Sequence, residues 1–176
     1  MKYIVSGYRR SGTSMMMNAL YKGMPSGGLL YSLDMERLNP EVNGWMANPG
    51  GLWEVGSRRY LEADFLRGMP DGSLVKIFFD GLVNLPHDDY KIIFMNRDVE
   101  EIKMSMDSVD NHISRPDVSR KVELLTFSAF KPYSQDDIDH VLGIMDARKD
   151  VELIEIDYAE VLENPEKAFR KIIGHH

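Results

Sequence analysis

The stretch YIVSGYRRSGTSMMMNAL, residues 3–20, joins an apolar, β-branched run to a glycine-punctuated turn and then to a helix-forming segment. Residues 3–6 read as a buried strand and the segment from Thr13 to Lys22 as a helix. Gly7 and Gly12 have the G-x-x-x-x-G spacing of a phosphate-binding loop. A strand before such a loop and a helix after it let the loop amides and the helix amino terminus converge on one anion. Gly7 permits a sharp turn, Gly12 lets backbone approach the anion, and the hydroxyls of Ser11, Thr13 and Ser14 add donors. The lysine that nucleoside-triphosphate enzymes carry after the second glycine is replaced here by Thr13. Arg9 and Arg10 lie inside the loop instead, and Arg10 offers a fixed fork of donors suited to the flat edge of an oxyanion.

The rest of the chain extends this into an α/β reading. Apolar runs from Leu74 to Phe79, Ile92 to Met95 and Val151 to Ile156 add three short strands, giving a parallel sheet of four to five strands covered by helices on both faces. Further helices are expected from Gly56 to Gly68, Val99 to Val109, Asp117 to Phe127, Ser134 to Lys149 and Asn164 to Ile173. Asp98 with Glu101 has the spacing of a capping box, and Ser134 with Asp137 and Asn164 with Lys167 are weaker caps. The 176 residues suit one domain. The segment from residue 38 to 56, rich in Asn, Pro and Gly and holding Trp45, Trp53 and Glu54, is a long loop of the kind that carries function, unless its tryptophans only pack it down. Residues 107–120 form a second polar segment suited to a flap.

Composition narrows the chemistry. The chain contains no cysteine, which excludes disulfides, thiolate metal sites and cysteine nucleophiles. Five histidines form no ligand pattern, and His175 and His176 end the sequence like the start of a tag. The net charge of −7 opposes non-specific binding to nucleic acid, so any anion must be gripped locally. No apolar run approaches a membrane span, and no signal-peptide pattern opens the chain, so a cytoplasmic location is expected. Met15, Met16, Met17, Met104 and Met106 read as core filling behind the sheet, and His87 and His112 as loop residues.

A second motif accompanies the loop. YKIIFMNRDVEEIKMSM places Arg97 at the end of a strand, Asp98 at a helix cap and Ser105 seven positions beyond Asp98. Seven positions are two helical turns, so Ser105 returns to the face on which the strand ends, and Arg97 and Ser105 can meet one anion.

With these residues in view the chain resembles the sulfotransferases that use 3′-phosphoadenosine 5′-phosphosulfate (PAPS), in particular their bacterial branch. Their cofactor loops read Tyr-Pro-Lys-Ser-Gly-Thr-Thr or Pro-Arg-Ser-Gly-Thr-Ser, and Tyr8-Arg9-Arg10-Ser11-Gly12-Thr13-Ser14 is similar to both. The resemblance implies a P-loop sulfotransferase-like fold and places Arg10 on the 5′-phosphate and its bridging oxygen. It also places Arg97 and Ser105 on the 3′-phosphate through the family's Arg-x7-Ser pattern. Arg9 stands where proline is common. VKIFFDGLVNLP is similar to the segment carrying the family's strand lysine, here Lys76, followed by Leu85-Pro86. LIEIDYAEVLENPEKAFRKIIG is similar to the late segment whose tyrosine, here Tyr158, lies near the adenine, and NPGGLWEVG to an Asn-Pro-x-Gly-aromatic-aromatic-Glu stretch of bacterial members.

The implied activity is metal-free, in-line transfer of a sulfuryl group from PAPS to a hydroxyl, leaving 3′-phosphoadenosine 5′-phosphate (PAP). Arg10, the loop amides and Lys76 would stabilise charge on the departing phosphate oxygen. In many cytosolic members the base is a histidine two residues after the strand lysine, but that position is Phe78 here. Carbohydrate and tyrosylprotein members use a glutamate, which makes Glu54 the first candidate and Asp80, at the carboxyl end of the Lys76 strand, the second. The Arg-Lys-Gly-rich loop with which the family completes its 3′-phosphate site is missing from the sequence, and Lys103 or Arg120 are the substitutes at hand. The carboxylates Asp136, Asp137 and Asp139 read as a solvated helix start. Trp45, Trp53 and Tyr60 suit a sugar face, so a carbohydrate or small metabolite is the expected acceptor. Two other readings stay open: a P-loop kinase or NTPase with Asp80 holding magnesium, and a nucleotide-binding domain without turnover.

Overall fold

Parallel pairing of the first strand with two neighbours sets the architecture, since each neighbour requires a crossover. The computed structural model describes residues 1–23, 63–113 and 134–174. The loop 38–56 with Trp45, Trp53 and Glu54, and likewise Tyr60, Arg120, His175, His176 and the expected helix from Asp117 to Phe127, lie outside the described residues.

Among the described residues the strands are β1 (Lys2–Gly7), β2 (Leu74–Lys76), β3 (Tyr90–Asn96) and β4 (Val151–Asp157), in the order β2-β1-β3-β4, and every pairing is parallel. The helices are α1 (Thr13–Gly23), α2 (Ala63–Gly68), α3 (Val99–Ile113), α4 (Gln135–Asp146), α5 (Tyr158–Glu163) and α6 (Pro165–Ile173). The chain is therefore α/β, with a four-stranded parallel sheet flanked by helices. No helix among the described residues is long and apolar enough to cross a membrane.

Alternation along the strands builds two cores. Ile4, Val75, Tyr90, Ile92 and Phe94 face Leu66 of α2 and Ile138, Val141 and Met145 of α4. Val5, Leu74, Ile93 and Met95 face Met16 and Met17 of α1, Val161 of α5 and Ala168 and Ile172 of α6. Burial on both faces is why the strands read as continuous apolar runs. From β1 the chain passes to β2 on one side and then returns to β3 on the other, so the strand order reverses at β1. Ligands in open α/β sheets bind at such a point, outside the strand carboxyl ends, and the glycine loop follows β1 there.

Several expectations need correction. The run from Leu74 to Phe79 is strand only as far as Lys76, and residues 79–84 form a 3-10 turn. Asp80 therefore sits on that turn and not at the end of a strand. Met104 is 72% exposed, because it projects from the outer face of α3. His112 lies in α3, which runs on to Ile113, so residues 107–113 of the expected flap are helical. Helix α4 stops at Asp146, short of Lys149. Its Ser134–Asp137 cap is a complete capping box, and Asn164 caps α6 through the Lys167 amide. At α3 only half of the box forms. Asp98 accepts from the Glu100 and Glu101 amides, while the Glu101 carboxylate turns to Arg97.

The amino ends of β3 and β4 are tied by Arg148. Its guanidinium donates to the Leu85 and Pro86 carbonyls, each at 2.8 Å, and holds both oxygens of Asp150. Asp150 also accepts from the Asp88 amide at 3.0 Å. The Arg148 fork comes first among the causes that keep the Asp150 carboxyl well below the usual carboxylate range. A depressed carboxyl contributes stability that is present above its unfolded pKa of about 3.9 and is lost as pH falls towards the folded value. Asp150→Asn is expected to melt below wild type at pH 7. Scanning calorimetry between pH 7 and pH 2 should show that gap closing below about pH 4; a gap independent of pH would contradict the clamp.

Candidate functional site

Four cationic side chains stand beyond the carboxyl ends of three adjacent strands. Lys76 ends β2, Arg9 and Arg10 follow β1, and Arg97 follows β3. The loop between Gly7 and Thr13 determines where they point. Gly7 has φ +149° and Gly12 φ +93°, both in backbone that side chains rarely adopt. A Cβ at residue 7 would lie 2.5 Å from the Ser11 Oγ and 2.8 Å from the Met95 carbonyl oxygen, and one at residue 12 would lie 2.6 Å from the Tyr158 ring. Both glycines are thus fixed twice, by conformation and by what packs against them.

Arg10 also has a positive φ, +66°, and is the one non-glycine residue among those described to do so. The left-handed region costs a residue with a Cβ about 1–2 kcal/mol, and such residues persist only where their surroundings enforce them. Here the Arg97 Nη1 donates to the Arg10 carbonyl at 2.8 Å, and the Ser11 amide of the same peptide group donates to the Tyr8 carbonyl at 3.2 Å. The Ser11 hydroxyl also donates to Tyr8, at 2.6 Å, so its proton is directed into the loop. The Arg10 Nε donates to the Ser105 Oγ at 3.1 Å.

Arg97 and Ser105, expected from their spacing to share one anion, both reach the glycine loop by way of Arg10. One guanidinium bonds the backbone of Arg10 and one hydroxyl bonds its side chain, so the two expected phosphate sites meet at a shared residue. Burial first, and then the neighbouring Arg97 charge, lower the Arg10 pKa from its ordinary value. A bound anion would relieve that repulsion.

The other side of the loop is built on Phe78. The Arg9 guanidinium lies 4.6 Å from its ring centroid and the Lys76 ammonium 5.1 Å, within cation–π range. Lys76 is 3% exposed and donates to the Ser14 Oγ at 3.1 Å, linking β2 to the first turn of α1. That turn begins at Thr13, which is buried, and its first amides have no carbonyl partner inside the helix. Tyr158, first residue of α5, places its ring 4.3 Å from the Arg97 guanidinium carbon and against Gly12.

Among the expected site residues, Gly7, Arg9, Arg10, Ser11, Gly12, Thr13, Ser14, Lys76, Arg97, Ser105 and Tyr158 therefore gather around one loop. Asp80 lies on the turn after β2, and Glu54 is outside the described residues. No family model matches the chain, and comparison with curated proteins and with solved structures finds no similar protein.

Two participants escaped the reading of the sequence. Glu101 pairs with the Arg97 Nε at 3.0 Å, a contact that the i,i+4 spacing signals once Arg97 is taken as the residue at the helix entry. Phe78, read only as a missing base, is the surface beneath two cations, and nothing in its neighbours announces that role.

The Gly12–Tyr158 contact yields a stability prediction. Gly12→Ala should lose roughly 1–3 kcal/mol, from backbone strain together with the clash against the ring. Urea unfolding measures this, and a Gly12→Ala midpoint equal to that of wild type would contradict the loop geometry.

Proposed function

We propose that the protein is a P-loop sulfotransferase that moves a sulfuryl group from PAPS to a hydroxyl acceptor. The observation carrying this reading is the distribution of cations around the loop. Arg10, joined by Lys76 from the β2 side, stands at the loop itself, and Arg97 with Ser105 stands on the β3 side, in a chain whose net charge is −7. Two cationic groups flanking a glycine loop and a helix amino terminus suit a ligand with separate anionic ends. The absence of a lysine after Gly12 favours arginine-held phosphosulfate over a nucleoside triphosphate.

When bound, PAPS supplies the sulfuryl group, which passes to the acceptor oxygen while the 5′-phosphate oxygen departs with the bonding pair. The residues of the chain act on the charge and the proton of that exchange. Arg10 and the first-turn amides of α1 face the departing phosphate oxygen, and Lys76, held by Ser14, adds a donor from the β2 side. Preorganised donors of this kind are each worth about 3–4 kcal/mol of barrier. Arg97 and Ser105 take the 3′-phosphate, and Tyr158 lies beside the adenine. The acceptor proton goes to a carboxylate, Glu54 in the first instance and Asp80 in the second. The acceptor is a carbohydrate or small metabolite, and the protein works in the cytoplasm.

Binding separates this reading from its rivals. PAP at 100 times its dissociation constant should stabilise the fold by about 2.7 kcal/mol without magnesium, read as a rise in melting temperature. Stabilisation by ATP alone, and only with magnesium, would favour a kinase. Arg10→Ala is expected to abolish transfer, and Glu54→Gln to abolish turnover while keeping PAP affinity, both measured with a labelled sulfuryl donor. Unchanged turnover in Glu54→Gln would pass the base role to Asp80.

A further inference from the structure

Arg97 is engaged three times before any ligand arrives. Its Nη1 donates to the Arg10 carbonyl at 2.8 Å, its Nε to Glu101 at 3.0 Å, and its guanidinium carbon lies over the Tyr158 ring, 4.3 Å from the centroid. We propose that Arg97 is a positioning residue that holds the glycine loop in its working shape through the Arg10 carbonyl, with Tyr158 and Glu101 fixing the fork in place.

The backbone of Arg10 makes this necessary. Returning residue 10 from φ +66° to an ordinary negative φ would turn its carbonyl away from Arg97 and break that bond. The peptide between Arg10 and Ser11 is pinned at both ends, its oxygen by Arg97 and its N–H by the Tyr8 carbonyl. That peptide leads directly into Gly12, against which the Tyr158 ring is packed. Tyr158 therefore touches both the residue that holds the loop and the glycine at which the loop enters α1. A lysine could place a charge here, but it could not serve the carbonyl and Glu101 from one rigid fork held over the ring. Arg97 thereby affects every anion the loop amides hold, and not only a group on its own side.

The binding part of the test rests on the phosphate-site reading above; the folding part does not. Calorimetric titration compares PAP with adenosine 5′-monophosphate, which lacks the 3′-phosphate. Arg97→Lys should weaken adenosine 5′-monophosphate about tenfold, or ~1.4 kcal/mol, and PAP by at least that factor. Weakened PAP with unchanged adenosine 5′-monophosphate would confine Arg97 to the 3′-phosphate contact and overturn the proposal. If wild type binds neither nucleotide, the function proposed above fails, and urea unfolding decides the positioning role. The midpoint drop caused by Arg97→Ala should be full in an Arg10→Ala background and at least halved in an Arg10→Gly background, because glycine adopts the positive φ unaided. Relief of the repulsion between the two guanidinium groups acts alike in both backgrounds, so it cannot mimic this difference. Equal drops in the alanine and glycine backgrounds would overturn the proposal.

Discussion

The bond from the Arg97 guanidinium to the Arg10 carbonyl joins the loop after β1 to the loop after β3, and the rest of the site depends on it. Those two strands lie side by side where the strand order reverses, so the sheet brings the two loops close without specifying how they meet. The guanidinium supplies that specification. It fixes one peptide group, that peptide fixes the left-handed backbone of Arg10, and Arg10 is thereby aimed at Ser105 on α3. A site that needs several donors within fractions of an ångström gains from being locked by side chains already seated on helices and strands.

The same arrangement concentrates positive charge in an acidic protein. Arg10 and Arg97 are close enough for one charge to lower the pKa of the other, and Arg9 and Lys76 share the Phe78 ring. Juxtaposed like charges oppose folding, and folded chains keep them where a ligand of opposite sign repays the cost. Elsewhere in the molecule charges are paired for structure. Arg148 with Asp150 ties the amino ends of the strands, and Lys167 and Lys171 meet at Glu160 between α5 and α6.

Much of this could be read from the residues, for identifiable reasons. β1, the glycine loop and α1 were legible because strand, turn and helix each have their own periodicity and the glycines fall at their joins. Two turns of helix from a known strand end put Ser105 on the Arg97 side, but that spacing did not show that both residues meet at Arg10 of the loop. The end of β2 was not legible, because Ile77, Phe78 and Phe79 continue the apolar run past Lys76 while the backbone leaves the sheet, and burial of Ile77 and Phe79 does not distinguish strand from turn. Met104 shows the converse failure, since an apolar residue on a helix signals a buried face only when its neighbours at i±3 and i±4 agree. The positive φ of Arg10 was also invisible, because it comes from a contact with a residue 87 positions away.

On the reading above, the glycine loop, Arg10 and Arg97 bind PAP as one connected site. The most direct measurement of this follows the Gly12 amide and the arginine Nε–H resonances by ¹H–¹⁵N NMR while PAP is added. The Gly12, Arg10 and Arg97 signals should move together along one binding curve. Those signals standing still while others shift on saturation would contradict that reading.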